Sequence, residues 1–364
     1  MIQENFDIHP EFKINGHHFE ADHLKKLAYS FIKEGQAHEE VIGNFLLDWL
    51  NPNYQTIKLR TSGSTGEPKI IYVDREKMIN SAHATGKHFK LPHGSNALSC
   101  LPMEHIAGKM MLIRAMVLGW NLEIIKPSAT PLESIYKTYD FCAMTPFQLN
   151  QSLSRLHLIK KLIVGGAPIS EKLIYKLQDK SAKIFETYGM TETLTHVATR
   201  RLNPKKGIQE GLKPFKALPK VSFDITDEKC LIIKAPNVLD KPLQTNDFVD
   251  LITYKKFYWK GRKDNIINSG GVKIYPEEVE KKLDSVHSQR FFVSSIYDEA
   301  LGEKLVLIVE SSYAEKKIEK LFDQIDQLEN LEKFEKPKKI YMIEKFEETA
   351  SGKVSRKKTI SSFD

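Results

Sequence analysis

Short apolar runs alternate along this chain with stretches whose apolar residues recur at helical spacing. Helices are predicted over residues 21–33, 39–50 and 107–118. Strands are predicted in the apolar runs at residues 57–59, 70–73, 97–100, 122–125, 141–144 and 162–164. This alternation predicts an α/β fold with a large doubly wound domain, in which ligands bind at the carboxyl ends of the strands.

A glycine- and hydroxyl-rich segment at residues 61–69 follows the first predicted strand and ends in a lysine. Glycine lets backbone N–H groups approach phosphate oxygens, and the hydroxyls add further donors. The segment is not a Walker loop, because Lys69 follows Pro68 and precedes Ile70. A loop without a ligand is the alternative interpretation. The candidate phosphate-binding residues are Thr61, Ser62, Gly63, Ser64, Thr65, Gly66 and Lys69.

Two further segments carry side chains suited to nucleotide chemistry. Tyr188 offers an aromatic face for a base, Thr191 a hydroxyl for a phosphate, and Glu192 a carboxylate for Mg²⁺. Near the end of the sequence, Lys353 follows a serine and a glycine and is suited to neutralising charge that develops during a reaction. Taken singly, the segment at Tyr188 is also compatible with an ordinary turn, and Lys353 is compatible with a solvated lysine.

The order of these segments resembles the adenylate-forming family, which includes acyl-CoA synthetases, luciferases and peptide-synthetase adenylation domains. The glycines after Val164 resemble the adenine-contacting turn of that family, and Asp247 stands where its members bind the ribose hydroxyls. The resemblance runs from about Thr61 to about Lys357. It implies that the nucleotide is bound by Gly165, Gly166, Ala167, Tyr188, Gly189, Met190, Asp247 and Arg262.

The resemblance implies a two-step ligase that uses ATP, Mg²⁺ and coenzyme A. In the first step a carboxylate attacks the α-phosphate of ATP, with Thr191 on that phosphate and Glu192 on Mg²⁺. Lys353 would then bridge the carboxylate and phosphate oxygens as the charge shifts.

In the second step the thiol of coenzyme A attacks the acyl-adenylate. The resemblance implies that a small C-terminal domain rotates about Asp264 between the steps and brings Gly270 and Gly271 beside the pantetheine. Lys273 is a candidate for a coenzyme A phosphate, with an exposed lysine as the equal alternative. The predicted domains are 1–260 (large), 261–264 (hinge) and 265–364 (small, α+β, carrying Lys353). Only 60 residues precede Thr61, so the large domain is expected to be shortened.

The acyl substrate is indicated by a short segment before the helix predicted at 107–118. His105 resembles the histidine that gates the acyl pocket in the family, although it is also compatible with a helix-start residue. Lys109 and Arg114 follow on an otherwise apolar helix, where a buried cation requires an anionic partner. Lys109 is the nearer to His105. This basic pair resembles family members that activate o-succinylbenzoate, a dicarboxylic acid. The alternatives are an aryl- or fatty-acyl-CoA ligase, a peptide-synthetase module, or a non-catalytic nucleotide-binding relative.

Composition limits the classes of partner and the cellular location that are expected for this chain. The net charge is +7, but its lysines are dispersed and lack an interleaved aromatic platform, so nucleic acid is not expected. Part of this charge is expected to attract polyanionic substrates. The three scattered cysteines indicate reduced thiols, and neither a signal peptide nor a membrane span is visible. A cytoplasmic enzyme is expected, with a homo-oligomer as an open possibility.

Overall fold

Two compact units make up this protein. The structure, a computed structural model, describes residues 7–60, 70–204, 213–284, 286, 289–311, 316–348 and 354–361. The first unit comprises Met1–Ile169, Lys176–Phe223 and Ile233–Leu243. The second comprises Ser170–Tyr175, Asp224–Ile232 and Gln244–Asp364.

A mixed sheet with parallel strands at its centre forms the first unit. The strands of the whole unit, of which β3 and β4 lie outside this sheet, are β1 (Lys13–Ile14), β2 (His17–His18), β3 (Thr56–Arg60), β4 (Ile70–Asp74), β5 (Asn96–Ser99), β6 (Asn121–Ile124), β7 (Tyr139–Met144), β8 (Ile159–Val164), β9 (Lys183–Gly189), β10 (His196–Arg201) and β11 (Phe215–Ala217). Within this unit the sheet order is β2-β1-β6-β5-β7-β8-β9-β10-β11. The strands from β1 to β9 in that order pair in parallel, whereas β2, β10 and β11 are antiparallel to their neighbours. The carboxyl ends of β5, β7, β8 and β9 therefore lie at one edge.

Helices with clear sequence signals connect these strands. They are α1 (Ala21–Glu34), α2 (Ala37–Trp49), α3 (Arg75–Phe89), α4 (Ile106–Leu118) and α5 (Pro146–Gln151). α5 begins with proline after Thr145, whose hydroxyl accepts the Gln148 N–H at 3.2 Å, a capping arrangement that fixes the helix start. α4 is almost wholly apolar and is buried along most of its length. It packs in a core that includes Trp49, Trp120 and Phe141.

The hairpin of β3 and β4 lies outside the large sheet. Its strands pair antiparallel from Thr56 with Asp74 to Arg60 with Ile70. The predicted phosphate segment, residues 61–69, therefore connects two strands at their paired ends. Residues 61–69 themselves lie outside the described part of the chain.

The second unit contains the remaining elements. Its strands are β12 (Ser222–Ile225) and β13 (Cys230–Lys234), which extend across the unit boundary, and β14 (Leu243–Thr253), β15 (Lys256–Arg262), β16 (Ile267–Ser269), β17 (Val272–Ile274), β18 (Phe291–Asp298), β19 (Gly302–Glu310) and β20 (Lys339–Ile343). The helices are α6 (Glu171–Lys176), α7 (Pro276–Leu283), α8 (Lys316–Asp326) and α9 (Arg356–Ile360). The C-terminal strands form a sheet in the order β17-β16-β19-β18, with β20 parallel to β19. Its core includes Val279, Leu307 and Ile340.

The predicted helices and strands agree with the structure, and the predicted domain division stays a prediction. Every helix and strand predicted above is present, with ends shifted by at most three residues. The predicted boundary at 261 falls inside the second unit, because residues 244–260 cluster with the C-terminal residues. β14 pairs with β15 up to Asp247 opposite Arg262, and the Lys260 ammonium contacts Glu278 at 2.7 Å. The predicted hinge at 261–264 stays a prediction. No helix of the described residues has the length and apolar character needed to cross a bilayer.

Candidate active site

Two of the predicted nucleotide segments are adjacent at the carboxyl edge of the parallel strands. β8 runs directly into Gly165, and its neighbour β9 ends in Tyr188 and Gly189. The Thr187 hydroxyl donates a hydrogen bond to the Val164 carbonyl at 3.1 Å and joins the ends of the two strands. This edge is where ligands bind in doubly wound sheets.

Glycine is required at two positions of these turns. Gly166 has φ +92°, a conformation that side chains disfavour, and apart from its chain neighbours no described heavy atom lies within 4 Å of the place where a Cβ would stand. At Gly189 a Cβ would lie 2.0 Å from the Thr195 carbonyl oxygen. The first turn therefore leaves open space beside its backbone, while the second allows the chain to fold back tightly on itself.

The turn after β9 presents the two residues predicted to act on phosphate and metal. Residues Thr191–Thr193 form one 3-10 turn, in which the Thr193 hydroxyl accepts the Met190 N–H at 3.0 Å. Thr193 is buried, Thr191 is half-buried and Glu192 is exposed. Among the described residues the Glu192 carboxylate has no hydrogen-bond or ion-pair partner, so it is available to a ligand.

Leu194 closes this turn in a strained conformation. Its φ is +65° and its ψ −52°, and the Thr195 N–H donates to the Thr193 carbonyl at 2.7 Å. Those are the features of a γ-turn, which is rare and costs energy in a residue with a side chain. The Leu194 side chain is buried in the core. Core packing thus holds the strained turn that carries Thr191 and Glu192.

The other carboxylate of this region is already paired. Glu186 on β9 accepts a hydrogen bond from the Arg200 guanidinium at 2.5 Å, and Arg200 lies over the Phe215 ring at 4.6 Å. The Tyr188 ring is half-buried, with its centroid 5.8 Å from that of Phe215. Glu192 is therefore the carboxylate of this turn that can hold a cation.

A single carboxylate is compatible with magnesium. In the described residues no three metal-ligating side chains come together. Mg²⁺ is commonly held by one or two carboxylates together with the phosphates of its substrate, so a complete protein cage is not needed. The unpartnered Glu192 carboxylate fits this mode of binding.

His105 lies at the start of α4, as the alternative interpretation expected. It is the N-cap residue, with extended backbone, and its exposed imidazole has no hydrogen-bond partner among the described residues. Its gating role stays a prediction.

The two basic residues of α4 point to different neighbours. The Lys109 ammonium donates to the Met103 carbonyl at 2.7 Å and lies 4.9 Å from the centre of the Phe45 ring of α2. Burial lowers its pKa, with Asp48 and Glu104 opposing the shift. The Arg114 guanidinium instead donates to the Thr195 hydroxyl at 3.0 Å, beside the turn that carries Glu192. Arg114 is thus the one that the structure places against the nucleotide segment.

Arg114 is a buried cation without a carboxylate partner in the part of the chain that the structure describes. Only 1% of its surface is exposed, and its Nε donates to the Thr85 hydroxyl at 3.3 Å. No acidic side chain of the described residues lies within ion-pair distance, and burial lowers the pKa of Arg114 to about 9.

Sequence reasoning missed the histidine next to this cation. His196 is buried, and its Nε2 has no hydrogen-bond partner among the described residues. Burial, followed by the charge of Arg114, lowers the pKa of His196 well below its ordinary value, so the ring is neutral. Its position three residues after Thr193, close to the predicted nucleotide segment, was the available signal. Arg114 and His196 thus form a buried polar cluster, in which His196 Nε2 can still make a hydrogen bond.

In the second unit, the predicted ribose and hinge residues share one end of the β14–β15 pair. Asp247 is buried, and its carboxylate accepts the Trp259 indole N–H at 3.1 Å. Asp264 accepts a hydrogen bond from Arg262 at 3.0 Å and another from the Asn246 amide at 3.2 Å. The hydrogen bond from Arg262 lowers the pKa of Asp264, so this carboxylate is ionised.

The predicted pantetheine residues form a turn between β16 and β17. Gly270 and Gly271 have φ +57° and +83°, and the Gly270 N–H donates to the Leu301 carbonyl at 2.9 Å. Lys273 is exposed on β17 without a polar partner in the described chain. Lys353, like residues 61–69, lies outside the described residues.

Comparison with known proteins identifies the class to which this fold and site belong. The model of the AMP-binding enzyme family matches residues 57–231. A crystal structure of an acyl-CoA synthetase (AMP-forming)/AMP-acid ligase II-like protein from Dyadobacter fermentans is 34% identical, with a TM-score of 0.60, and the match covers 93% of this chain and 98% of that one. The chain belongs to this family of AMP-binding enzymes.

More specific relatives share one printed activity. The 2-succinylbenzoate–CoA ligase of Listeria monocytogenes is 24% identical, over 82% of this chain and 68% of the relative. The o-succinylbenzoate coenzyme A synthetase of Bacillus subtilis, in complex with ATP and magnesium ion, has a TM-score of 0.71 at 22% identity, over 83% of this chain and 69% of that one. At that identity the second match shows a shared fold.

Proposed function

We propose that this protein is an ATP-dependent acid–CoA ligase that forms an acyl-adenylate and then a coenzyme A thioester, with o-succinylbenzoate as the acid. The observation that carries the proposal is the adjacency of β8 and β9, whose following turns hold the glycine turn at Gly166 and a Glu192 carboxylate that has no partner among the described residues. Several curated relatives are named 2-succinylbenzoate–CoA ligases, which supports the choice of acid.

In the proposed first step, an acid carboxylate oxygen bonds to the α-phosphorus of ATP while the bond from that phosphorus to the pyrophosphate oxygen breaks. Two anions approach each other, so the protein contributes alignment and charge neutralisation. Thr191 would hold the α-phosphate, and Glu192 would hold Mg²⁺, which offsets phosphate charge when bound. The phosphate segment 61–69 would bind the departing pyrophosphate, and Lys353 would bridge the reacting oxygens.

In the proposed second step, the thiol proton passes to solvent, the sulfur of coenzyme A bonds to the acyl carbon, and the bond from that carbon to the phosphate oxygen breaks, so that AMP leaves. Gly270 and Gly271 would line the pantetheine, because their turn exposes backbone without side chains. Lys273 is exposed and has no hydrogen-bond or ion-pair partner among the described residues, and so is suited to a coenzyme A phosphate. Asp264 is the proposed pivot, and its two hydrogen bonds from Arg262 and Asn246 define one orientation of that pivot.

Arg114 is the proposed partner of the second carboxylate of the acid. A dicarboxylate leaves one anionic group unreacted, and desolvating it without a cation costs several kcal/mol. Arg114 is a buried cation that lacks a carboxylate among the described residues and contacts Thr195, next to the adenylation turn. A substrate carboxylate would supply the missing counter-charge.

A cytoplasmic location completes the proposal. The three cysteines are free and buried, and the sulfurs of Cys100 and Cys142 lie 3.9 Å apart without a bond. Unbonded thiols at this distance are typical of a reducing compartment.

The proposal is tested by pyrophosphate release from ATP with a panel of acids, followed by thioester formation after coenzyme A is added. We expect o-succinylbenzoate to give the highest kcat/KM for both signals. Faster turnover of benzoates or fatty acids would leave an acyl-CoA ligase with another substrate. Pyrophosphate release without thioester formation would indicate an adenylating enzyme with another acceptor, and binding of ATP without release would overturn the catalytic assignment.

A further inference from the structure

Two arginines of the second unit flank the segment that carries Lys353. Arg290 precedes β18, and Arg356 begins α9, three positions after Lys353. The described residues on the two sides of 349–353 are joined, because Glu348 forms a bridge with Val354 and the Ser355 N–H donates to the Glu347 carbonyl at 2.7 Å. The described residues on either side of the lysine segment are therefore held to each other.

Arg356 is held in a fork by one carboxylate. Its Nη2 donates to Glu280 Oε2 at 2.9 Å, and its Nη1 lies 2.9 Å from Glu280 Oε1. Nη1 also donates to the Val293 carbonyl at 3.1 Å, while the Val293 N–H donates to Glu280 at 2.8 Å. A bidentate arginine–carboxylate pair fixes direction as well as distance, which a lysine in the same place does not.

A second carboxylate extends this anchor along α7. Glu277 is 6% exposed, and its Oε1 lies 3.8 Å from Arg356 and accepts a hydrogen bond from the Asn265 amide at 2.5 Å. Asn265 follows Asp264, the predicted pivot. α7 thus links the start of α9 to the backbone just after the predicted hinge.

The two arginines are also connected through a pair of aromatic rings. Arg356 lies 5.6 Å from the centre of Phe292, the rings of Phe292 and Phe346 are 5.1 Å apart, and Arg290 lies 5.4 Å from the centre of Phe346. Arg290 then donates to Glu348 at 2.7 Å, which is the last described residue before the lysine segment. Both distances from cation to ring are within the range of a cation–π attraction.

We propose that Arg356, anchored by Glu280 and joined to Arg290 through Phe292 and Phe346, is a positioning residue for Lys353 in adenylation. Desolvating such ion pairs costs free energy, and apolar side chains in their place would stabilise the fold at least as well. Stability alone therefore does not explain these pairs. Here they fix the backbone on both sides of a short segment whose lysine must reach a reacting phosphate. A misplacement of about 1 Å at such a group costs on the order of a hundredfold in rate. The inference rests on the proposed role of Lys353.

The test compares the two half-reactions in the full-length protein. Arg356→Met is expected to slow adenylation, measured by pyrophosphate exchange, by about 10- to 100-fold. Thioester formation from supplied acyl-adenylate should change by no more than about twofold, because the second step does not use Lys353 in the proposed mechanism. Arg356→Lys keeps the charge without the bidentate geometry, so its adenylation rate should lie between that of the parent protein and that of Arg356→Met.

The matched control is Lys282→Met. Lys282 donates to Glu335 at 2.7 Å in the same unit, and the exposure of that pair (30% and 18%) is close to that of Arg356 and Glu280 (23% and 20%). Lys282→Met should lower the melting temperature about as much as Arg356→Met does, and it should leave the ratio of the two half-reaction rates unchanged. If Arg356→Met does not fold, Glu280→Gln replaces it, since it keeps the shape of α7 and weakens the anchor.

Equal loss in both half-reactions, or a loss no larger than in Lys282→Met, would overturn the positioning role. Lys353→Ala is measured in parallel to separate the two proposals. If Lys353→Ala leaves adenylation intact, the proposed role of Lys353 fails and the inference fails with it. If Lys353→Ala abolishes adenylation while Arg356→Met does not slow it, the inference alone fails.

Discussion

Replacing Arg114 with methionine should stabilise the protein while removing the cation proposed to bind the substrate. Burial lowers the pKa of this guanidinium from its ordinary value by about three and a half units, to about 9. A shift of one pKa unit corresponds to ~1.36 kcal/mol, so holding the charge in the folded state costs on the order of 5 kcal/mol. Because the folded pKa is the lower one, the full cost applies below about pH 9 and diminishes as the pH rises toward the pKa of the unfolded chain.

Hydrogen bonds offset part of this cost. Arg114 donates to the hydroxyls of Thr85 and Thr195, and each bond from this charged donor contributes about 1.5 kcal/mol. The Thr85 hydroxyl keeps its own bond to the Ser81 carbonyl at 3.0 Å after the substitution, so it is not left unsatisfied. The flexible methionine side chain fills most of the vacated volume. We expect a net stabilisation of about 2 kcal/mol, or roughly 4–8 °C in melting temperature for a unit of this size.

The same substitution should raise KM for o-succinylbenzoate by about 10- to 100-fold, the value of a lost charge-assisted hydrogen bond or ion pair. KM for ATP should not change, and an analogue without the free carboxylate should not respond. Calorimetry and steady-state pyrophosphate release measure the two effects. Lys109→Met is the comparison, because the Lys109 ammonium is held by the Met103 carbonyl. A lower melting temperature for Arg114→Met, equal responses of the two acids, or a KM effect only in Lys109→Met would refute the reasoning.

Three further substitutions test the proposed mechanism. Lys353→Ala should reduce adenylation by on the order of a hundredfold and largely spare thioester formation from supplied acyl-adenylate, and equal losses would contradict domain alternation. Asp264→Pro fixes φ at the predicted pivot, so it should impair one half-reaction and spare the other; parental rates in both would place the pivot elsewhere. Glu192→Gln should raise the Mg²⁺ concentration needed for half-maximal adenylation, whereas Glu186→Gln, which breaks the pair with Arg200, should lower the melting temperature instead. The reverse pattern would mean that Glu192 is not the metal ligand.

The sequence predicted the elements of this fold more reliably than the direction of its side chains. The apolar run at 162–164 and the helical spacing over 107–118 are local signals, and both agree with the structure. Helical spacing predicts that Lys109 lies nearer to His105 than Arg114 does, but the question is which of the two faces the substrate. Spacing cannot decide it, because α4 is apolar on every side and therefore has no outer face to set the orientation. Only the neighbours in space, Phe45 for one residue and Thr195 for the other, show which way each points.

The strained turn at Leu194 was invisible to the sequence for a related reason. No glycine or asparagine stands there to signal a positive φ. The conformation is imposed by its surroundings, which bury the Leu194 side chain and leave the chain to turn back toward β10. A propensity describes what a residue prefers alone, and a γ-turn at leucine is held by contacts that lie far apart in the sequence.

Unfavourable local features of the first unit concentrate beside the proposed adenylation turn. Arg114 lacks a carboxylate among the described residues, His196 Nε2 lacks a partner there, and Leu194 is strained. In the second unit the opposite holds for the arginines beside the lysine segment, since Arg356 and Arg290 both have carboxylate partners. The difference follows from what each arginine would contact. A residue that positions another part of the chain can be satisfied permanently, whereas a residue that binds a substrate anion must retain capacity until the substrate arrives, and the folded protein is less stable for it.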